Sequence, residues 1–159
     1  MAKYPQCDYG WLRFENKCFL IEKVETKLFE NELSCRGKGA TLVTIHSRLE
    51  NEFLNAITER SKYFWLGGFR VKHGDDVFTW FDNTRFDYTK WATNQQPPVF
   101  TNQPQTAENN TCIYDGYWHD CGYDWDNYYH LCQKVIKPTA NELNLYDDKE
   151  IRRFEGNCA

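Results

Sequence analysis

The 159-residue sequence lacks long apolar runs, an excess of basic residues and any Cys-x-x-Cys pair. Because a membrane-spanning helix needs about 18 or more consecutive apolar residues, no membrane insertion is expected. No apolar stretch precedes Cys7, so we expect no signal peptide and interpret the chain as a mature ectodomain fragment with an added start codon. The net charge of −4 argues against the basic surface with which proteins bind nucleic acid.

Catalytic signatures are missing as well. The sequence has only three serines, and none lies in a Gly-x-Ser-x-Gly turn. No nucleophile, base and orienting group can be assembled from the other residues, so the sequence predicts a protein that is not an enzyme. Without a Cys-x-x-Cys pair, the usual ligands of a structural zinc site are also absent.

Cysteines and aromatic residues are abundant by contrast. Seven cysteines beside a single methionine are typical of oxidising compartments, so we expect an extracellular location, either secreted or as the ectodomain of a membrane protein. Aromatic residues make up 17% of the chain and can supply a substantial core. The length fits one domain, which we place at residues 1–136, followed by a tail or linker over residues 137–159.

Two helices are predicted in the first third of the chain. The first covers residues 26–37 and has three apolar residues on one side: Leu28, Phe29 and Leu33. The second begins at Ser47, with Glu50 three residues later as the partner in a capping box. Its apolar residues recur at steps of four and predict a core stripe: Leu49, Phe53 and Ile57.

The rest of the sequence predicts strands and loops. A short buried strand is expected at residues 42–45, and others at 64–69 and 77–81. Two apolar or aromatic runs flank Gly116 and predict a β-hairpin. The polar region 94–110 contains three prolines, and loops of this length in compact domains are usually functional or disordered.

Several motifs occur in the order that is typical of one known family. The Trp-Leu-Gly-Gly run at 65–68 is similar to a Trp-Ile-Gly-Leu core motif, and the Trp-Phe-Asp run at 80–82 to a Trp-x-Asp-Gly segment. Trp91 matches the tryptophan before a long loop, and the Trp-His-Asp run at 118–120 stands where Trp-Asn-Asp is common. Over residues 7–136 the chain therefore resembles the C-type lectin-like domain family.

This resemblance implies an α+β fold of the long C-type lectin-like form, with two helices, small antiparallel sheets and a long ligand-binding loop. It also implies that the fold is stapled by three disulfides: Cys7–Cys18, Cys35–Cys132 and Cys112–Cys121. Cys158 is left without a partner, and an unpaired thiol in an oxidising compartment tends to find another. We therefore expect a disulfide-linked dimer or a covalent partner through Cys158.

The best-known activity of the family is calcium-dependent sugar binding, in which carboxylate and amide oxygens hold the ion. Two Gln-Pro pairs, at Gln96 and Gln103, resemble the family's proline-containing tripeptide, and the choice between them stays open. In both, the acidic or asparagine partner is missing, and the second pair is followed by Gln105 instead.

The other ligand positions of the family are also altered. Asn110 stands two residues before Cys112, where the family has Glu, and Glu108 substitutes if the loop shifts. His119 replaces an asparagine, and imidazole is a poor ligand for a hard cation. Asp120 is plainly retained. With Glu108, Asn110 and Asp120 as metal ligands, calcium binding is expected to be weak, and no cofactor is required.

Acidic and aromatic residues crowd the same region. The acidic residues predict either a solvated rim or a surface for a cationic ligand: Glu108, Asp115, Asp120, Asp124 and Asp126. Exposed aromatic residues such as Trp125 are typical anchors for sugars or protein partners. The Asn-Asn-Thr sequence at 109–111 predicts a glycosylation site at Asn109.

These observations favour an extracellular recognition module that binds a protein or glycan ligand through its long-loop face without calcium. The ligand-binding residues expected on that face are Gln96, Gln103, Gln105, Glu108, Asn110, His119, Asp120 and Trp125. The alternative is a calcium-dependent carbohydrate-binding lectin that uses the same face.

Overall fold

The computed structural model describes residues 6–105 and 108–136, which form two helices and seven strands. The predictions for Cys158 and the tail lie outside the described residues. In chain order the elements are β1 (Leu12–Phe14), β2 (Lys17–Thr26), α1 (Leu28–Gly37), α2 (Arg48–Ile57), β3 (Tyr63–Arg70), β4 (Phe78–Trp80), β5 (Asn110–Tyr114), β6 (Tyr117–Cys121) and β7 (Tyr128–Val135).

The strands share one sheet in the order β1-β2-β7-β3-β5-β6, and β4 pairs with β3 at one side of this path. All pairs are antiparallel except β3 and β7, which run parallel where Phe64 faces Tyr129. The predicted α+β fold is confirmed. The predicted small antiparallel sheets are joined through this one parallel pair, which brings β7 beside β3.

Helix α1 packs a different side from the one that its apolar residues predict. Phe29 and Leu33 are 64% and 48% exposed, whereas Asn31 and Cys35 are fully buried. Cys35 forms a disulfide with Cys132 of β7, and the Asn31 side-chain amide donates a hydrogen bond to the Leu131 carbonyl at 3.5 Å. The disulfide and this hydrogen bond thus hold the side of α1 that carries Asn31 and Cys35 against β7, and the predicted apolar side faces the solvent.

Helix α2 begins as predicted but is rotated relative to the expected stripe. The Ser47 hydroxyl accepts a hydrogen bond from the Glu50 backbone at 3.1 Å, which confirms the N-cap. The Glu50 carboxylate does not turn back to the cap but binds the buried Lys17 ammonium at 2.7 Å. Leu54 is fully buried and Leu49 is 56% exposed, so the predicted stripe is wrong at Leu49.

Trp118 is at the centre of the hydrophobic core. Its ring is fully buried and meets four other aromatic rings edge-on, and its indole N–H donates to Asn51 at 2.8 Å. Those rings belong to Trp80, Phe86, Tyr88 and Trp91. The edge-on geometry is the favourable one for aromatic pairs, so the core holds β6 in a defined position.

The three predicted disulfides are present: Cys7–Cys18, Cys35–Cys132 and Cys112–Cys121. The predicted hairpin is also confirmed, with Asp115 and Gly116 both at positive φ in a two-residue turn between β5 and β6. The strand predicted at residues 42–45 is wrong. This segment is buried but is not part of a strand, and one isolated bridge between Thr41 and Gln133 lies beside it.

Candidate functional site

A cleft of about 390 Å³ lies between the long loop and strand β6. This volume falls within the range of small-ligand sites, roughly 300–1,000 Å³. The long loop contributes Gln103, Gln105 and Glu108, and β6 contributes His119 and Asp120. The opposite wall is aromatic and consists of Tyr63, Trp125 and Tyr128. Most of the residues predicted from the sequence are thus brought to one place.

A buried arginine organises this region. Arg70 ends β3, and its side chain is fully buried. Its guanidinium pairs with the buried Asp120 carboxylate, 3.0 Å from Oδ2, and with the exposed Asp76 carboxylate, 2.8 Å from Oδ1. Charge-assisted bonds of a forked guanidinium are the strong ones among protein hydrogen bonds. Arg70 therefore connects β3 to β6 electrostatically.

The same guanidinium closes the long loop. Its Nε donates to the Glu108 carbonyl at 3.1 Å, and its Nη atoms also donate to the carbonyls of Gln105 and Asp75. The guanidinium is thus surrounded by carbonyl and carboxylate oxygens. The same kinds of oxygen are the ligands of a bound calcium ion. Arg70 thus acts as a built-in cation that holds residues 105 and 108 against β6.

Both oxygens of Asp120 are engaged within the chain. Oδ2 faces Arg70, and Oδ1 accepts the Gln105 backbone N–H at 3.0 Å. Burial raises the pKa of Asp120, while the Gln105 amide and the Arg70 charge act in the opposite direction. The carboxylate that the resemblance implies for calcium is already used, so this donor set fits the ion poorly. Within residues 6–105 and 108–136, no group of three or more His, Cys, Asp or Glu residues could hold a metal ion.

The two Gln-Pro pairs occupy different places. The Gln103–Pro104 peptide bond is cis. Beside the other pair, the cis bond is the one between Pro97 and Pro98. Gln103 lines the cleft, and its Oε1 lies 3.4 Å from the Asp120 backbone nitrogen. Gln96 instead accepts two hydrogen bonds from Thr93, each of 2.7 Å. The structure therefore brings Gln103 to the cleft and leaves Gln96 in its own turn.

Asn110 is separated from the other predicted residues. It lies in β5 and lines a second, smaller cleft of about 160 Å³ together with Leu28 and Phe69. Its neighbour Asn109 is exposed, as the predicted glycosylation requires. The Oδ1 atom of Asn109 lies 3.2 Å from Nδ1 of His73.

His119 is a neutral group in the wall of the cleft. It is 3% exposed and meets the Tyr63 ring edge-on at 5.6 Å between ring centres. Burial lowers the pKa of His119 to about 4, and its Nε2 has no hydrogen-bond partner among the described residues. At physiological pH the imidazole therefore adds no positive charge to the cleft.

This shift predicts a pH-dependent stability. The unfolded chain protonates His119 near pH 6.5, whereas the folded chain does so near pH 4. Between these values the unfolded state binds more protons, so the free energy of unfolding falls as pH is lowered, by at most about 1.4 kcal/mol per pH unit. Urea denaturation of the wild type and of His119→Gln at several pH values measures the difference. We expect the stability of the wild type, relative to that of His119→Gln, to fall between about pH 6.5 and pH 4. Two curves that stay parallel over this range would contradict the prediction. The exposed His73→Gln variant serves as the matched control.

The aromatic wall is also neutral and firmly packed. Tyr128 stacks on Tyr63 at 4.6 Å between ring centres, and Trp125 meets Tyr128 edge-on at 5.8 Å. Burial and, to a lesser extent, Tyr114 raise the pKa of Tyr63 to about 12, and burial raises the pKa of Tyr128. Trp125 is 39% exposed, so it presents a fixed indole surface to a ligand.

Arg70 is the important residue that the sequence interpretation missed. The period-two alternation of a strand places residue 70 on the same face as Leu66 and Gly68, which could have indicated a buried arginine. Its partners in the long loop and in β6, however, lie 35 to 50 residues away along the chain. No local pattern identifies them.

Comparison with known proteins gives a family-level match. The family model described as Lectin C-type domain matches residues 25–134. Ladderlectin of Oncorhynchus mykiss is 32% identical over 143 residues, which cover 86% of this chain and 73% of ladderlectin. The chain spans much less of other curated relatives, 54% of one and 4% of another.

Solved structures share the fold. The C-type carbohydrate-recognition domain of cow CD23, in the presence of a GlcNAc2Man3 oligosaccharide, superposes with a TM-score of 0.70 at 22% identity, covering 83% of this chain and 98% of that one. A calcium-independent type II antifreeze protein has a TM-score of 0.67 at 24% identity, covering 82% and 95%. Among the helices described for this chain, none is long and apolar enough to cross a membrane.

Proposed function

The chain belongs to the C-type lectin domain family, and on that premise we propose that it is an extracellular, non-catalytic recognition module whose long-loop cleft binds a protein or glycan ligand without calcium. Gln103, Gln105, Glu108, His119 and Trp125 contact the ligand in this proposal. Asp120 acts indirectly, because it anchors the loop that carries the two glutamines.

The ion pair between Arg70 and Asp120 is the observation that carries the proposal. In a calcium site, carboxylates and carbonyls gather around the metal and order the loop that carries them. Here the guanidinium gathers Asp120 and the carbonyls of Gln105 and Glu108. A calcium ion at Asp120 would have to displace a buried cation, which would leave the guanidinium in the interior without its partner.

Two further points support the proposal. The antifreeze neighbour is described as calcium-independent, so a protein of this fold can exist without the ion. The CD23 domain was solved in the presence of an oligosaccharide, so a related fold is associated with glycans. The disulfides are compatible with an extracellular location, because such bonds persist in oxidising compartments.

Calcium is expected to leave the stability of the protein unchanged. A site with a dissociation constant of about 1 mM would raise the free energy of unfolding by about 1.4 kcal/mol at about 10 mM calcium. Thermal melting with added calcium, with chelator and with magnesium as the control measures this effect. We expect the three melting temperatures to coincide.

A ligand screen completes the test. Glycan and ectodomain arrays are probed with and without chelator, and every hit is repeated with Trp125→Ala and with Asp124→Asn as a control from the same loop. Hits that survive chelator and require Trp125 support the proposal. Sugar binding that chelator removes, together with stabilisation by calcium, would favour the calcium-dependent lectin instead.

A further inference from the structure

We infer that the ligand of the long-loop face is a protein whose contacting segment combines basic side chains with a large apolar one. This inference rests on the proposed function and names the class of partner. The long-loop face consists of the cleft, residues 96–100 and residues 123–126, because Val99 and Trp125 line the cleft. It has an exposed apolar centre with acidic residues at its border, and these two features together select the partner.

The part of the chain that builds this face has charge of one sign only. Residues 91–133 contain five of the 23 acidic residues and none of the 19 lysines and arginines. The rest of the chain has 18 acidic and 19 basic residues, so the net charge of −4 arises from this segment. Among the described residues, no lysine or arginine lines the cleft. The long-loop face therefore favours a partner with a basic surface.

Two of these acids lie at the border of the cleft. Asp124 and Asp126 are exposed and flank Trp125 in the chain, and neither forms an ion pair within residues 6–105 and 108–136. Asp120, in contrast, is buried and paired with Arg70. Exposed charges at the rim of an interface accelerate the encounter with an oppositely charged protein more than they raise the affinity. We therefore expect Asp124 and Asp126 to act mainly on the association rate.

The centre of the long-loop face is apolar and in contact with water. Its four exposed apolar side chains are Val99, Phe100, Tyr123 and Trp125. Large aromatic side chains at the centre with charged residues at the rim are typical of a protein interface. A partner with an apolar side chain among its basic ones would cover this centre and meet the acidic rim at the same time.

The turn that carries Phe100 is held by hydrogen bonds within the loop. The Phe100 N–H donates to the Gln96 carbonyl at 3.1 Å, and the Gln103 N–H donates to the Ala92 carbonyl at 2.8 Å. Phe100 also has a φ of +52°, which is an uncommon and costly conformation for a bulky residue and is typical of functional positions. An anchor that is fixed before binding loses little conformational entropy when the partner arrives.

A protein suits this face better than a glycan. Sugar hydroxyls need polar partners, but both oxygens of Asp120 are bonded within the chain, and Oε1 of Gln103 lies 3.4 Å from the Asp120 backbone nitrogen. A sugar would have to displace these bonds. An apolar side chain of a protein covers Val99 and Trp125 without displacing any of them.

Selection from a displayed library of random short peptides tests the class of partner. The full chain is immobilised, and the selection is run once with calcium and once with chelator. We expect the enriched peptides of both selections to carry a net positive charge and at least one large apolar residue. Enrichment of neutral or acidic peptides, or no enrichment over the starting library, would overturn the inference.

Phenylalanine variants assign the peptide to the apolar centre. Phe100→Ser should weaken binding of the most enriched peptide at least about tenfold, because an anchor is lost. Phe29→Ser is the matched control, since Phe29 of α1 is 64% exposed and Phe100 is 57% exposed. The control should change binding less than about twofold. Equal binding by the wild type and by Phe100→Ser would place the peptide elsewhere and overturn the inference.

Charge reversal tests the acidic rim. Asp124→Lys combined with Asp126→Lys should lower the association rate of the peptide at least about tenfold. The control combines Glu25→Lys with Glu59→Lys, which changes the net charge equally at exposed positions outside the cleft and should change the rate less than about twofold. A single change such as Asp124→Asn has only a small effect, because an exposed charge is screened over about 8 Å. An unchanged rate in the first variant would contradict the inference.

Vesicles test a membrane as the other apolar partner. The full chain is sedimented with phosphatidylcholine vesicles and with vesicles that also contain anionic phosphatidylserine. We expect no binding to either, because the acidic rim is repelled by an anionic surface. Cosedimentation that Phe100→Ser abolishes would assign the long-loop face to a membrane and overturn the inference.

The two proposals fail in different ways. A chelator-resistant glycan hit that needs Trp125 but is unaffected by Phe100→Ser and by the competing peptide would remove the inference and leave the proposed function intact. Basic peptides that need Phe100 but are enriched only with calcium would support the inference and remove the calcium independence of the proposed function.

Discussion

Replacing Arg70 with methionine is expected to lower the free energy of unfolding by roughly 3–5 kcal/mol, because one buried partner of an ion pair is removed and the other remains. Asp120 would then be a buried carboxylate without a charged partner, and the carbonyls of Gln105 and Glu108 would lose their donor. The loop should detach from β6 as well. Urea denaturation measures the stability, and hydrogen exchange at the Gln105 amide measures the loop.

A double-mutant cycle separates the pair from its surroundings. Asp120→Asn keeps the acceptor for the Gln105 amide and removes the charge, so Arg70→Met should be less damaging in that background. The coupling is expected to be within about 0.5–3 kcal/mol. Arg70→Lys keeps the charge but cannot form the fork of contacts, and should lie between the wild type and Arg70→Met. A loss below about 1 kcal/mol for Arg70→Met would show that the guanidinium does not hold the loop.

Removal of the Cys35–Cys132 disulfide is expected to have an effect of similar size. The bridge closes a loop of 97 residues and joins α1 to β7. In the chain-entropy model, its replacement by two alanines lowers the stability by about 4.7 kcal/mol. This is a large part of the 5–15 kcal/mol that stabilises a typical domain. Thermal and urea unfolding of the double alanine variant measure the loss.

The Cys7–Cys18 bridge is the matched control. It closes only 11 residues, so the same model gives a loss of about 2.8 kcal/mol for its double alanine variant. Fluorescence and circular dichroism confirm whether each variant still has the native fold before the two losses are compared. Equal losses in the two variants would contradict the explanation by loop length.

Much of the fold was predictable from local patterns. The hairpin turn at Gly116 and the cap at Ser47 require only their own neighbours, so a short window of sequence contains the information. The disulfide pairing was predicted from the family resemblance alone, since six cysteines allow fifteen pairings. Periodicity predicted the orientation of the helices only in part. Phe53 and Ile57 of α2 pack against the core as expected, but Leu49 is exposed. In α1 the buried side carries Cys35, which is bonded to β7, and not the predicted apolar residues.

The sequence by itself determined which groups the site contains. These are the glutamines beside prolines, Glu108 as a substitute for the family's glutamate, and His119 where an oxygen ligand was expected. Only the tertiary structure decided how those groups are used. It brought Gln103 rather than Gln96 to the cleft, moved Asn110 to another surface and placed Arg70 against Asp120. The physical reason is that a carboxylate pairs with whichever cation the folded chain brings near it, and that choice depends on contacts between residues far apart in the sequence.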